Sequence, residues 1–306
     1  MFQKLKGQRY TLQWFFNKAF RRVIWQVNYR HQPTYFLHLP KFLQMNLDFK
    51  NKRALVSGST QGIGKAVAIE LALLGANVTL LARNEEALKK TKAELNTDKG
   101  QQHSYIVADF SNPEDVRKNV NHYIQRQGAV NILVNNTGGP PAGPINSAKT
   151  EEFISAFNNH LICNHILTQA CLDGMKHSGY GRIINIISTS VKQPLHNLGV
   201  SNTIRAAVAN WSKTLANELG QFGITVNNVL PGATHTQRLQ GIIENNSTKN
   251  QKPIDEVKND MLKEIPMKRF AEAAEIANAV AFLASPAAAY INGVNLPVDG
   301  GRTACL

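Results

Sequence analysis

Arg53-Ala54-Leu55-Val56-Ser57-Gly58-Ser59-Thr60-Gln61-Gly62-Ile63-Gly64 is a short apolar strand running into a glycine-rich turn, and Lys65-Ala66-Val67-Ala68-Ile69-Glu70-Leu71 continues it as a helix. Strand, turn and helix in that order describe a phosphate-binding unit. Glycines at 58, 62 and 64 let the backbone turn sharply and come close to a pyrophosphate, whose charge meets the free N–H groups opening the helix. Three residues separate the first two glycines, where the general dinucleotide pattern has one.

Outward from this turn, strand patterns near 53–57, 77–82, 103–108, 130–135, 182–188, 224–230 and 293–298 alternate with helical ones. Such alternation builds a parallel sheet with helices on both faces, an α/β doubly wound fold of Rossmann type. Residues 45–306 are expected to form it as a single domain. Glu151 to Met175 reads as one long helix and Val200 to Leu219 as another. Between Thr236 and Ile265 the pattern breaks at the polar stretch 244–253, which suggests an irregular, mobile cover.

The glycine spacing resembles that of the short-chain dehydrogenase/reductase family, and further motifs follow in the family's order. These are Asp109 after the third strand, Asn135-Asn136-Thr137-Gly138 after the fourth, Ser188 closing the fifth, Pro231-Gly232 after the sixth, and Asn295-Leu296-Pro297-Val298-Asp299-Gly300-Gly301 at the end. The likeness covers about residue 45 to the end. With the Pro/Gly-rich loop 138–144 and Ser201-Asn202-Thr203-Ile204-Arg205, it points to a divergent branch similar to 3-oxoacyl carrier-protein reductases. The resemblance implies cofactor contacts from Gly58, Ser59, Thr60, Gln61, Gly62, Ile63, Gly64, Arg83, Asp109, Phe110, Asn136, Thr137, Gly138, Arg205, Pro231, Gly232, Thr234 and Thr236. It also implies a homodimer or homotetramer paired through the helices at 151–175 and 200–219, and a small-molecule or acyl-carrier carbonyl substrate.

Cofactor identity turns on the end of the second strand. An acidic residue there would accept hydrogen bonds from the adenosine ribose and repel a 2′-phosphate. Ala82 removes that carboxylate and Arg83 brings a guanidinium suited to phosphate, so NADP(H) is expected over NAD(H). Asp109 is expected to bond the adenine amino group, or to serve as a turn cap.

At the reacting end the chain departs from the family. A tyrosine, activated by a lysine four residues on, is expected at 201 and 205, where the chain has Ser201 and Arg205. Tyrosine titrates near about 10, within reach of a neighbouring cation, whereas a serine hydroxyl does not. Arg205 shares a helix face with Ser201 and keeps a positive charge for the ribose and for a developing alkoxide. The family's helix asparagine falls at His160, with Asn158 or Asn159 as substitutes under a shifted register. His160, Lys192 and His196 are candidate proton donors, each with a plainer reading as a packing or surface residue. Ser188 is retained to bond the substrate carbonyl. Two functions follow: an NADPH-dependent carbonyl reductase with a remodelled proton donor, which is favoured, or a nucleotide-binding protein that regulates or scaffolds without turnover.

The 306-residue chain has a net charge of +13, but residues 1–44 hold eight Lys/Arg and no acid, leaving +5 for the rest. That distribution argues against nucleic acid. Within 1–44, Leu12, Phe15, Phe16, Ala19, Phe20, Val23, Ile24 and Val27 fall on one helical stripe. The segment reads either as an upstream start assigned ahead of Met45 or as a basic amphipathic helix. Such a helix packs on the domain or a partner, or with lower expectation lies on an anionic membrane surface. A targeting segment would carry more serine. No apolar run spans a bilayer. Cys163, Cys171 and Cys305 show no metal-ligand spacing, so no metal is implied and a reducing, cytoplasmic setting fits.

Overall fold

The computed structural model describes residues 45–305; the expectations for 1–44 lie outside the described residues. Seven strands form one parallel sheet in the order β3-β2-β1-β4-β5-β6-β7. They are β1 (Arg53–Ser57), β2 (Asn77–Ala82), β3 (Ser104–Val107), β4 (Ile132–Asn135), β5 (Gly181–Ile186), β6 (Ile224–Pro231) and β7 (Asn295–Val298). All seven expected strands are present, with ends shifted by up to two residues. The helices are α1 (Gly62–Leu73), α2 (Glu85–Ala93), α3 (Pro113–Gln127), α4 (Thr150–Phe157), α5 (Cys163–Ser178), α6 (Gly199–Leu219), α7 (Gln237–Asn250), α8 (Ile254–Lys263) and α9 (Ala273–Ala284).

Central strands buried on both faces read as continuous apolar runs, and β1 divides its residues between two cores. Ala54 and Val56 pack with Val67, Ala68 and Leu71 of α1 and Ile276 and Val280 of α9. Leu55 packs the opposite face with Val116 and Val120 of α3 and Ile166 and Leu167 of α5. The chain leaves β1 toward β2 on one side and later returns to place β4 on the other. A crevice therefore opens at the C-terminal ends of β1 and β4, where open α/β sheets bind ligands.

Two expectations require correction. The stretch read as one helix is α4 and α5 joined through a π-turn, Asn158–Ile162. The extra residue of a π-turn rotates the helix faces on either side of it, and here it carries His160 into the interior at 1 % exposure. The polar stretch after Thr236 is helical rather than irregular, since α7 runs to Asn250. Leu239 and Ile243 bury one stripe of it, while Gln240 Nε2 donates to Glu244 Oε1 at 2.6 Å on the wet side.

A row of asparagines crosses the sheet from β4 to β7. Asn135 Nδ2 donates to Asn185 Oδ1 at 2.8 Å, Asn185 Nδ2 to Asn228 Oδ1 at 3.0 Å, and Asn228 Nδ2 to Asn295 Oδ1 at 2.8 Å. Each pair is also a register pair of neighbouring strands. A one-residue slip would break every bond in the row, so the amides hold the relative heights of β4 to β7.

Candidate active site

The turn after β1 is closed by backbone contacts that tolerate only glycine. Gly58 and Gly62 have φ of 58° and 54°. A Cβ on Gly58 would lie 2.6 Å from the Asn136 carbonyl oxygen, and one on Gly64 would meet Asn136 Nδ2 at 2.6 Å and run into the Gly58 carbonyl. Asn136 laces the turn to β4. Its Nδ2 donates to the carbonyls of Ser57 and Gly58 at 3.3 and 3.2 Å, and its backbone N–H donates to Ser57 Oγ at 2.9 Å. Ser59 is buried and ties the turn to β2 by accepting from Leu81 N–H at 3.0 Å, while Ile63 packs into the core. Thr60 and Gln61 stay on the open side, and Gln61 places no side-chain cap on α1. The first N–H groups of α1 thus stand ready for an anion.

Around this cradle stand the other expected cofactor residues. Arg83 is exposed just past β2 and forms no ion pair among the described residues. Asp109 Oδ1 accepts from Ser111 N–H at 2.9 Å, which caps the turn after β3. Phe110 follows, half-buried, and its carbonyl accepts from Cys163 Sγ. Pro231 closes β6; Gly232 N–H donates to Val298 O at 2.9 Å, and a Cβ there would lie 2.7 Å from Asp299 Cα. Thr234 Oγ1 donates to Gly232 O at 3.0 Å, and Thr236 caps α7 by accepting from Leu239 N–H at 3.3 Å. The Thr236 methyl lies 3.2 Å from the place of a Cβ on Gly62. The lid helix therefore begins beside the phosphate turn, and the donor set fits a phosphorylated dinucleotide.

At the reacting end, Ser188 follows β5 in extended conformation and its Oγ accepts from Ser190 N–H at 3.1 Å, keeping the hydroxyl proton to donate. Arg205, 8 % exposed on α6, donates from Nη1 to the Ile186 carbonyl at 2.8 Å, which holds its guanidinium at the same strand end. Its Nε is buried without an acceptor. Burial, reinforced by the nearby Arg238 charge, pushes the guanidinium down to about 10, below the ordinary arginine range but still cationic at neutral pH. Ser201 is buried one turn earlier on the same helix.

Of the two readings of His160, the structure favours the packing residue over the proton donor, since it is 1 % exposed. Burial first, and then the charges of Arg205 and Arg238, push it down to about 2, although a hydrogen bond with the Gly138 backbone works the other way. The imidazole is neutral throughout the physiological range. Lys192, half-buried, and His196, exposed, remain on the loop between Ser188 and Ser201 as expected.

Sequence reasoning missed Arg238. Projecting from α7, it donates from Nη1 to Gly139 O at 3.0 Å and from Nη2 to Pro140 O at 3.2 Å, latching the lid to the loop that follows Thr137 and Gly138. That loop is pinned in turn to the start of α6, with Gly143 N–H donating to Asn197 O at 2.7 Å and Gly199 N–H to Gly143 O at 3.0 Å. The only sequence signal was position: Arg238 follows the Thr236 cap by two residues. A cleft of about 510 Å³ between α7 and α8, lined by Leu239, Ile243, Leu262, Lys268 and Phe270, is lined by neither Ser188 nor Arg205 and belongs to the lid. Among the described residues no cluster of His, Cys, Asp or Glu could hold a metal ion, and no helix is long and apolar enough to cross a membrane.

Comparison with known proteins places this geometry in context. The family model described as enoyl-(acyl carrier protein) reductase matches residues 58–303. A 3-oxoacyl-[acyl-carrier-protein] reductase, FabG, of Pseudomonas aeruginosa is 34 % identical over 257 residues, covering 83 % of this chain and 98 % of its own. The NADPH-dependent reductase BacG of Bacillus subtilis is 30 % identical, with 82 % and 97 % covered. Among solved structures, L-sorbose reductase from Gluconobacter frateurii, complexed with NADPH and L-sorbose, superimposes with a TM-score of 0.80 at 31 % identity, over 86 % of this chain and all of that one. With the ordered glycine turn, the Asn136 lacing, the seven-stranded sheet and these likenesses together, the chain belongs to the short-chain dehydrogenase/reductase family, in its 3-oxoacyl-[acyl-carrier-protein] reductase-like branch.

Proposed function

We propose that this oxidoreductase reduces a substrate carbonyl with NADPH through an active site in which Ser188 and Arg205 attend the reacting oxygen and no tyrosine–lysine pair takes part. The observation that carries this reading is the buried guanidinium of Arg205, bonded to the carbonyl of Ile186 two residues before Ser188, while the nucleotide cradle is intact. NADPH, when bound, supplies hydride. Ser188 donates a hydrogen bond to the carbonyl oxygen, and Arg205 stabilises the negative charge that grows on it as the carbon is reduced. The proton that completes the alcohol comes from water or from the loop carrying Lys192 and His196. The pyrophosphate is held by the turn 58–64 and the N-terminus of α1, and the 2′-phosphate by Arg83.

A purified-protein screen for NADPH oxidation over diverse carbonyls tests this. Turnover with at least one class is expected, with Ser188→Ala lowering kcat by about tenfold or more at unchanged NADPH affinity. NADPH should bind more tightly than NADH, and Arg83→Ala should reduce that preference by about tenfold. NADPH binding with no turnover on any carbonyl would instead support a regulatory or scaffolding nucleotide-binding protein. Ile154 and Phe157, 56 % and 40 % exposed on α4, support pairing of that face in a homodimer or homotetramer, which light scattering would contradict by reporting a monomer.

A further inference from the structure

We propose that Arg238 is a positioning residue that latches a lid, formed by α7 and α8, and thereby sets how fast NADPH enters and leaves the cleft. Gating of this kind needs only nucleotide binding, so it stands or falls apart from carbonyl turnover.

The lid has a core of its own. Leu239 and Ile243 of α7 pack with Val257 of α8 and with Ile265 and Phe270 after it, separately from the two cores that flank the sheet. The chain enters and leaves this body side by side, at the bridge between Thr234 and Ala271. There His235 N–H donates to Ala271 O at 2.8 Å and Ala271 N–H to Ala233 O at 2.9 Å, while Met267 N–H holds the exit by donating to Gly300 O at 3.2 Å. Two crossings that lie together form a hinge about which a separately packed body can turn.

The first turn of α7 reaches both walls of the crevice at the ends of β1 and β4. On the β1 wall the Thr236 methyl stands 3.2 Å from the place of a Cβ on Gly62, in the phosphate turn. On the β4 wall Arg238 donates from Nη1 to Gly139 O at 3.0 Å and from Nη2 to Pro140 O at 3.2 Å. Both acceptors lie on a loop that is itself held, since Gly143 exchanges bonds with Asn197 and Gly199, and a Cβ on Gly199 would lie 2.6 Å from Ile145 Cα. Gly139 is shaped for the latch: a Cβ there would lie 2.5 Å from Arg238 Nη2, in the space that the guanidinium occupies.

Bonds donated by a cation are stronger than neutral ones, so the pair favours closure by more than two ordinary contacts would. Every group in the latch belongs to the protein. It therefore stabilises the closed lid with and without nucleotide alike, and weakening it raises the open population in both states by the same factor. A nucleotide passes only while the lid is open, so entry and exit quicken together and affinity stays where it was.

The test is stopped-flow measurement of NADPH association and dissociation by the full chain and by three variants. In Arg238→Met, which keeps an apolar stem and removes the donors, both rate constants are expected to rise about tenfold, with Kd within about threefold of the unaltered protein. Arg238→Lys retains a charged donor without the fork and should fall between the two. Gly139→Ala should speed both steps as the Met variant does, because it displaces the guanidinium without removing it, and Gly139 has no left-handed backbone for alanine to strain. An unchanged Kd also shows that a variant is folded, and Gly139→Ala carries the same reading if Arg238→Met does not fold. Association and dissociation rates within about twofold of the unaltered protein in the folded variants would overturn the proposal. So would faster dissociation at an unchanged association rate, because affinity would fall by the same factor and Arg238 would be a contact of the nucleotide itself.

Discussion

Arg205→Ala is expected to lower kcat/KM for NADPH-dependent carbonyl reduction by about 10²–10³-fold and to weaken NADPH binding in the same protein. The size follows from what the guanidinium does in a water-poor site, where a fixed charge aimed at a developing oxyanion is worth several times its value in water. Arg205 is 8 % exposed and anchored to the Ile186 carbonyl, so it is already in place before the reaction begins. Ser201→Ala should be mild by comparison, because a buried hydroxyl one turn away adds no charge. The pH profile supplies a second readout. Since Arg205 titrates at about 10, activity that needs its cation should hold through neutral pH and fall as pH rises through about 10. His160, held neutral above about 2, should contribute no inflection near the ordinary histidine value. A profile and a rate both untouched by Arg205→Ala would remove the arginine from the chemistry.

Gly64→Ala is expected to abolish NADPH binding and to destabilise the fold by about 1–3 kcal/mol, enough to lower Tm by several degrees at about 2–4 °C per kcal/mol. The added methyl would run into the Gly58 carbonyl and meet Asn136 Nδ2 at 2.6 Å. These are not flexible chain ends that can swing away. Asn136 is fixed by its bonds to Ser57 and Gly58, and Gly58 itself sits at φ of 58°, so yielding at one point opens the whole lacing between β1 and β4. Thermal unfolding with and without NADPH separates the two effects. A variant with unchanged Tm and cofactor affinity would show that the turn has room that the geometry denies it.

Much of the fold was legible before any coordinates. Short runs rich in Val, Ile and Leu locate the strands because a strand covered by helices on both faces is mostly apolar, and the seven runs from 53–57 to 293–298 stand out even where Asn135, Asn185, Asn228 and Asn295 interrupt them. The helix at 151–175 was misread at its middle, since a π-turn leaves no periodicity signature over five residues. The stretch 244–253 was misread for another reason: a solvent-facing helix stabilised by pairs such as Gln240 with Glu244 is as polar as a loop.

What the sequence alone determined is local chemistry at fixed spacing. The glycines at 58, 62 and 64, the arginine after β2, the serine after β5, and the serine and arginine one helical turn apart on α6 are all relations within one segment. What only the tertiary structure decided are relations between segments. Asn135, Asn185, Asn228 and Asn295 become one hydrogen-bonded row because parallel register brings them level. His160 loses its capacity as a donor because a π-turn buries it under two positive charges. Arg238, far in sequence from the 138–144 loop, meets it because α7 folds back onto Gly139 and Pro140. Burial and charge proximity are properties of the assembled cleft, and no spacing along the chain encodes them.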